Sequence, residues 1–399
     1  MMTTSTVQST GDSNATRVSA IENSGWGRSF TFYQPRNAAF WVYLLLVTTG
    51  VFQFFSMLAS SAGAYGEAIG LSVALFSAYG AAFWWFTHHI DRYARQPAKL
   101  IVVAFLWGSF AATWGMAAHA NDAILALYAK IFGQAWAADW GAGLAAPFTE
   151  ETAKGLGLVL LIALASRFVR TAFDGFILGA FIGLGFQLFE DVVYALNSAG
   201  SQFGANQIDA AMTTIVMRMV VGVAAHTLYS AIFCAGLVYL LGRPAEPRRL
   251  GRGIALMATA MLLHGLWDSA GALAQGKTAL MFPVLFAIIV VALAVVFRVF
   301  RMTVPRERQF LHDILAPEAE HGVITGDELT AVCGNRKARR GFRKAAGTHA
   351  ERTRNGYVLE AIADLADALA DSRGYDTGRV EFARSEVARI RSGRPSIKA

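Results

Sequence analysis

Residues 145–165 read Ala145-Ala-Pro-Phe-Thr-Glu150-Glu151-Thr-Ala-Lys154-Gly-Leu-Gly-Leu-Val-Leu-Leu-Ile-Ala-Leu-Ala165. The stretch is long enough to cross a bilayer, since about 20 mostly apolar residues span a hydrocarbon core of about 30 Å. Yet it carries two adjacent carboxylates and a lysine. An ionisable group at mid-bilayer costs roughly 2.5–3.5 kcal/mol on insertion scales, so such groups face a bundle interior and pair with one another. The run therefore reads as a membrane helix with one polar face.

Seven further runs of the same kind flank it: 40–60, 68–87, 100–118, 173–196, 213–241, 252–273 and 279–300. The sixth in chain order, 213–241, is overlong and is expected to begin outside the hydrocarbon. Composition agrees with a membrane protein, with 55% hydrophobic and only 16% charged residues where soluble domains carry about 25% charged. Mean hydropathy is +0.41. The expectation is an all-α, polytopic transmembrane bundle of about eight spans with a small helical tail. No cleavable signal segment is expected, because the first 39 residues are mostly polar and the first apolar run is long enough to span. Two cysteines, Cys234 and Cys333, imply no disulfide framework.

The net charge of +7 is distributed by loop. Arg17, Arg28 and Arg36 precede the first run, while Arg92, Arg95 and Lys99 lie in 88–99. Arg167 and Arg170 lie in 166–172, and Arg243, Arg248 and Arg249 in 242–251. The alternate loops hold only Lys130 and Lys277. Lysine and arginine mark the cytoplasmic side, so both termini are expected there. Three regions follow: a largely disordered cytoplasmic segment 1–39, a membrane domain 40–300 with its core at about 145–273, and a basic cytoplasmic tail 301–399. Within the tail, Arg336, Lys337, Arg339, Arg340, Arg343 and Lys344 form a basic run, and Tyr357, Leu359, Ile362, Leu365 and Leu369 fall at helical spacing. The basic run reads as a solvated face or as a contact for anionic lipid. No nucleic-acid partner is expected.

Ionisable residues concentrate in the fourth to seventh runs, with Arg298 near the end of the eighth. Inside the four runs they are Glu150, Glu151 and Lys154; Asp174, Glu190 and Asp191; Arg218 and His226; and, beyond Arg252 at the start of its run, His264 and Asp268. At 1.5 Å per residue, Glu150, Glu151, Glu190, His226 and His264 all fall between the outer surface and the midplane. Asp174 instead falls at the inner end of its run, as an interfacial residue. Lys154 follows the two glutamates by four and three, on their face of the helix. Gly179, Gly183, Phe186, Glu190 and Tyr194 form one stripe. With Gly175, its glycines make a small-xxx-small pattern that permits close helix approach. Gly222, His226 and Ser230 share a face if their run is continuous. His264 and Asp268 are four apart, so the carboxylate can orient the imidazole.

Each of these residues alone is equally read as polar glue between helices. Together, at one depth, they make a shared site. A glutamate in low dielectric can serve as general base or acid, and a second beside it takes a different protonation state. Histidines and a carboxylate can hold water or an oxyanion, or bind Zn²⁺ with an open position; that ligand set would be Glu151, Glu190, His226 and His264. No local spacing of the H-E-x-x-H type is present, so zinc and a metal-free glutamate mechanism both remain open. A proton- or ion-coupled transporter could use the same buried Glu/His cluster, although no repeat between the halves is evident. A scaffold whose tail carries the function is a third reading.

The run Pro147-Phe-Thr-Glu150-Glu151-Thr-Ala-Lys154 resembles the E-E-x-x-K signature of PrsW-type intramembrane proteases. Gly183-Leu-Gly-Phe-Gln-Leu-Phe-Glu190-Asp191 is similar to that family's second motif, Ala225-His226-Thr-Leu-Tyr-Ser230 to its third, and His264-Gly-Leu-Trp-Asp268 to its last. Order and spacing match across about 145–270. The family is distantly similar to CAAX-processing and bacteriocin-processing proteases, whose first motif is E-E-x-x-x-R; the shorter spacing to Lys154 favours the PrsW branch. The resemblance implies a multi-pass endopeptidase of the cell membrane that cuts a membrane-anchored protein near the outer half of the bilayer. It implies Glu150, Glu151, Lys154, Glu190, His226 and His264 as the catalytic set, with Asp268 supporting. The family has been described both as metalloprotease and as glutamic protease, so the resemblance leaves the metal open.

Overall fold

A computed structural model describes residues 4–93 and 95–393 of the chain. The principal helices are α1 (Thr4–Ser24), α2 (Ala38–Ile90), α3 (Ala98–Phe132), α4 (Ala142–Leu164), α5 (Ala172–Gly200), α6 (Gln207–Val221), α7 (His226–Leu241), α8 (Leu250–Asp268) and α9 (Thr278–Glu320). Four more follow: α10 (Gly326–Cys333), α11 (Arg336–Lys344), α12 (His349–Asp371) and α13 (Gly378–Arg391). The described residues contain no strand, as expected of an all-α chain. They form two compact units, one of residues 30–92 and 96–302, the other of residues 1–29, 93–95 and 303–399.

Five helices (α2, α3, α5, α8 and α9) are long and apolar enough to cross a membrane, or six if the bent pair α6 and α7 is one span. The expected eight runs are distributed differently for local reasons. The first two lie in one helical stretch broken at Tyr65, whose φ/ψ of −129°/23° leaves the helical region. Phe54 and Phe76, which a straight helix would hold about 33 Å apart, belong to one apolar cluster with Phe110, Val192 and Ile215. The stretch therefore folds back on itself at the kink. Run 145–165 forms α4, whose three charges set it apart by composition. Run 213–241 is interrupted between α6 and α7, which meet at a 41° bend. Gly222 accordingly lies before the break, off the helix that carries His226 and Ser230.

Helix α5 is the centre of the first unit, buried at every residue from Ala172 to Gln187. A helix buried all round needs apolar or small residues on every face. Its glycine stripe does what the spacing predicts, and the partner is α7. A Cβ at Gly175, Gly179 or Gly183 would stand 2.7, 2.4 or 2.3 Å from the carbonyl oxygens of Cys234, Ser230 and His226 respectively. Asp174, in the first turn of α5 as its place at the end of the run implies, is buried and caps the helix. Its Oδ2 accepts from the backbone N–H groups of Arg170 and Thr171 at 2.8 Å, and its Oδ1 from Gln96 Nε2 at 2.6 Å. The periphery of the unit is apolar and exposed, with Phe282, Phe286, Val290 and Phe297 of α9 outward, as a lipid-facing surface requires.

In the second unit, the N-terminal segment expected to be largely disordered is helical over Thr4–Ser24; residues 1–3 lie outside the described set. Buried Arg17 explains the difference. Its Nε donates to Ile314 O at 2.9 Å and its Nη2 to Glu318 Oε1 at 2.8 Å, while Arg384 donates twice to the same glutamate. These partners stand about 300 and more residues away, beyond the reach of local patterning. The stripe expected over 357–371 is realised in α12, where Leu359, Ile362, Leu365 and Leu369 are buried and Tyr357 points outward.

The α5–α7 contact yields a direct test. Gly183→Ala would overpack the site against a backbone carbonyl, at a cost of about 1–3 kcal/mol. Thermal unfolding in detergent should show a clear fall in Tm for Gly183→Ala and none for Gly66→Ala, whose Cβ would meet open space.

Candidate active site

Five helices of the first unit (α4 to α8) bring one polar cluster together. From α4 come Glu150, Glu151 and Lys154, all at most 3% exposed. Lys154 Nζ stands 2.9 Å from Glu151 Oε1, 3.3 Å from Glu150 Oε2 and 2.9 Å from His226 Nδ1, and lies over the Phe186 ring at 3.8 Å from its centroid. An ammonium has three protons and no lone pair, and these acceptors engage it fully. Glu151 also accepts from Ser230 Oγ at 3.1 Å through its other oxygen.

His226 occupies the first turn of α7, immediately after the break. Gln187 of α5 spans that break: its Nε2 donates to Gly222 O at 3.0 Å and its Oε1 accepts from Thr227 Oγ1 at 3.2 Å. Backbone groups freed by a helix interruption inside an apolar bundle need such partners. With Nδ1 facing Lys154, the other ring nitrogen of His226 meets Glu190 Oε2 at 2.9 Å. Glu190 in turn accepts from Arg218 Nη2 at 2.9 Å, and Arg218 Nε bonds Asp191.

His264 of α8 is 1% exposed and stacks on Tyr229. Its Nδ1 lies 3.2 Å from Glu151 Oε1; its Nε2 lies 3.6 Å from Glu150 Oε2 and 3.4 Å from Asp268 Oδ2. Neither nitrogen has a hydrogen-bond partner of good geometry among the described residues. A mutual glycine contact brings α8 to α4: a Cβ at Gly143 would lie 2.7 Å from Gly265 O, and the converse holds. The cluster is closed at Glu151 and Lys154 and opens toward Arg218, Glu190 and Asp268, whose side chains are 16%, 18% and 19% exposed.

All seven expected site residues thus meet: Glu150, Glu151, Lys154, Glu190, His226, His264 and Asp268. The side chains that converge most closely are not the full set Glu151, Glu190, His226 and His264 that a metal was expected to take. Among the described residues, the atoms that converge to within 4.8 Å belong to Glu150, His226 and His264. Outside this set, Glu151 accepts from Lys154 and Ser230, and Glu190 Oε2 meets both Arg218 and His226. One carboxylate and two imidazoles, with neither nitrogen of buried His264 in a well-formed hydrogen bond among the described residues, are a donor set that a divalent cation can take. Among the described residues, the five carboxylates Glu150, Glu151, Glu190, Asp191 and Asp268 meet Lys154, Arg218 and the two imidazoles, and buried charge needs such compensation.

Two contributors escaped the sequence reading. Gln187 had no ionisable group to draw notice, and Asn121 of α3, which donates to Glu150 Oε1 at 3.1 Å, lies outside the charged runs.

A helical membrane bundle enclosing a carboxylate–imidazole cluster has the groups that hydrolysis within a bilayer requires. The sequence model of the PrsW family intramembrane metalloproteases matches residues 96–296, half of the chain, and the chain belongs to that family. It is therefore a peptidase and an integral membrane protein. No curated protein and no solved structure matches it.

Lys154 is the cation the carboxylates depend on. Lys154→Met is expected to cost about 3–5 kcal/mol by leaving buried charge unpaired, read as lower accumulation and Tm. Lys154→Met combined with Glu151→Leu should recover part of that loss.

Proposed function

We propose that the cluster hydrolyses a peptide bond of a membrane-anchored protein, in the outer half of the bilayer, with the Glu150–Glu151 pair handling the proton. The supporting observation is the meeting of Glu150 Oε2, His226 and His264 beside the Lys154–Glu151 pair, inside the region matched to the family.

The chemistry follows from the donors and acceptors. Water needs a base as it adds to the carbonyl carbon, and the departing amine nitrogen needs a proton as the C–N bond breaks. A carboxylate of the Glu150–Glu151 pair takes the proton from water and returns it to the amine. Lys154 holds Glu151 in place and sets a positive charge beside the cluster, where it can favour the oxyanion. Glu190, against His226 Nε2, fixes the orientation of that ring, and Asp268 does so for His264. Glu150, His226 and His264 would hold a divalent ion, with Zn²⁺ the best match to one oxygen and two nitrogen donors. When bound, it would supply Lewis acidity to the carbonyl and lower the pKa of water at the site.

We further propose that both termini are cytoplasmic, on the loop charges alone. Cysteine-specific labelling of tags at Met1 and Ala399 in intact cells should leave both unlabelled by an impermeant reagent and label both after permeabilisation; labelling of either in intact cells overturns the topology.

The catalytic reading is tested with purified protein and a membrane-anchored reporter. Glu150→Gln and Glu151→Gln should each lower cleavage at least about 100-fold while the protein still inserts and accumulates. Full activity in both removes the assignment. Loss on chelation with rescue by Zn²⁺ supports the metal, whereas cleavage that survives chelation supports a metal-free glutamate mechanism. Solute flux in liposomes with no proteolysis of any reporter would favour a transporter.

A further inference from the structure

We infer that Asn121 is a positioning residue that aims Glu150 at the two histidines; the inference rests on the reading of Glu150 as a proton-handling or metal-holding carboxylate. Asn121 Nδ2 donates to Glu150 Oε1 at 3.1 Å, and the Thr149 hydroxyl bonds Asn121 Oδ1. These contacts fix the amide in one orientation. A carboxylate only accepts, so the NH₂ group must face Glu150, and the amide oxygen is then left for a hydroxyl donor. With Oε1 held, Oε2 is the oxygen turned inward, 3.3 Å from Lys154 Nζ and 3.6 Å from both His226 Nδ1 and His264 Nε2.

The backbone of α3 explains how residue 121 reaches this place. Over Trp107–Ala117 the helix widens into π turns, which shift the register of everything beyond them and recur at functional sites. Thr113 Oγ1 closes one wide turn by donating to Gly108 O, five residues back, at 2.6 Å. Gly108 presses the segment onto α5, where a Cβ would fall 1.8 Å from Ile182 O. Asn121 follows four residues after the π segment and upstream of every motif in the 147–268 region. Thr149 lies next to Glu150 on α4. The chain Thr149–Asn121–Glu150 thus links α3, a helix without site carboxylates or histidines, to the carboxylate that faces the cluster.

The test uses full-length wild type, Asn121→Ala, Asn121→Asp and Thr149→Val in detergent, with Zn²⁺ affinity from competition titration, kcat and KM on the reporter, and Tm. Asn121→Asp keeps the shape but removes the donor and adds a like charge. Loss of a partner that orients a metal-holding group weakens binding by about 10–100-fold. Both Asn121 variants should therefore bind Zn²⁺ about 10–100-fold more weakly and lose kcat by a similar factor, with KM little changed. Thr149→Val should lie between them and wild type. Zn²⁺ affinity and kcat within about twofold of wild type in folded variants, or a change in KM alone, overturns the inference. If Asn121→Ala fails to fold, Thr149→Val carries the test by the same readouts, and if wild type cleaves without Zn²⁺, kcat decides. Wild type that neither binds metal nor cleaves overturns the protease reading and this inference with it; active wild type with unaffected variants overturns this inference alone.

Discussion

A lysine ammonium buried without access to water, at the centre of a ring of carboxylates, is the constraint around which the membrane-embedded unit is built. Lys154 cannot be placed in an apolar bundle alone. Its acceptors come from its own helix and from α7, and those carboxylates need further donors in turn. Ser230 and Asn121 serve the glutamates of α4; Arg218 serves Glu190 and Asp191. The network is closed at Glu151 and Lys154 and partly exposed at Arg218, Glu190 and Asp268. Hydrolysis needs water at the scissile bond, while the rest of the bundle excludes it.

Close backbone approach makes that network possible. Between α5 and α7, and between α4 and α8, glycines stand where any side chain would strike a carbonyl. Without a hydrophobic driving force between helices in lipid, small residues at the contact and polar groups across it are what hold a bundle together. The same contacts set the spacing of the site. Gly183 abuts the carbonyl of His226, and Gly143 abuts Gly265, next in sequence to His264. Packing and chemistry therefore share the same residues, and a change at a glycine is felt at an imidazole.

Irregular backbone concentrates around the site as well. The break before His226 and the π segment of α3 both depart from regular helix, and both are repaired locally, by Gln187 and by Thr113 respectively. Each departure precedes a residue of the cluster, His226 in one case and Asn121 in the other. The cost of leaving regular helix inside lipid is offset only where protein polar groups take over the lost hydrogen bonds.

Much of this was legible in the chain. Apolar runs of spanning length, charges concentrated in four of them, and the i, i+4 spacing of Glu150 with Lys154 and of His264 with Asp268 are local properties, and local properties survive folding because helix geometry is fixed. The glycine stripe and its direction toward Glu190 follow from the same periodicity. What periodicity cannot carry is where a helix departs from itself and what stands opposite it. The fold-back at Tyr65, the interruption before His226, the burial of Arg17 on Glu318 and the choice of Glu150 over Glu151 and Glu190 in the converging set all depend on residues distant in sequence. So does the placing of Asn121 and Gln187, whose neutral side chains carry no charge signal and acquire meaning only through their partners. The chain by itself determined which residues must be sheltered together; the tertiary structure decided which oxygen and which nitrogen face each other, because hydrogen-bond partners are assigned by packing between helices and not by spacing within them.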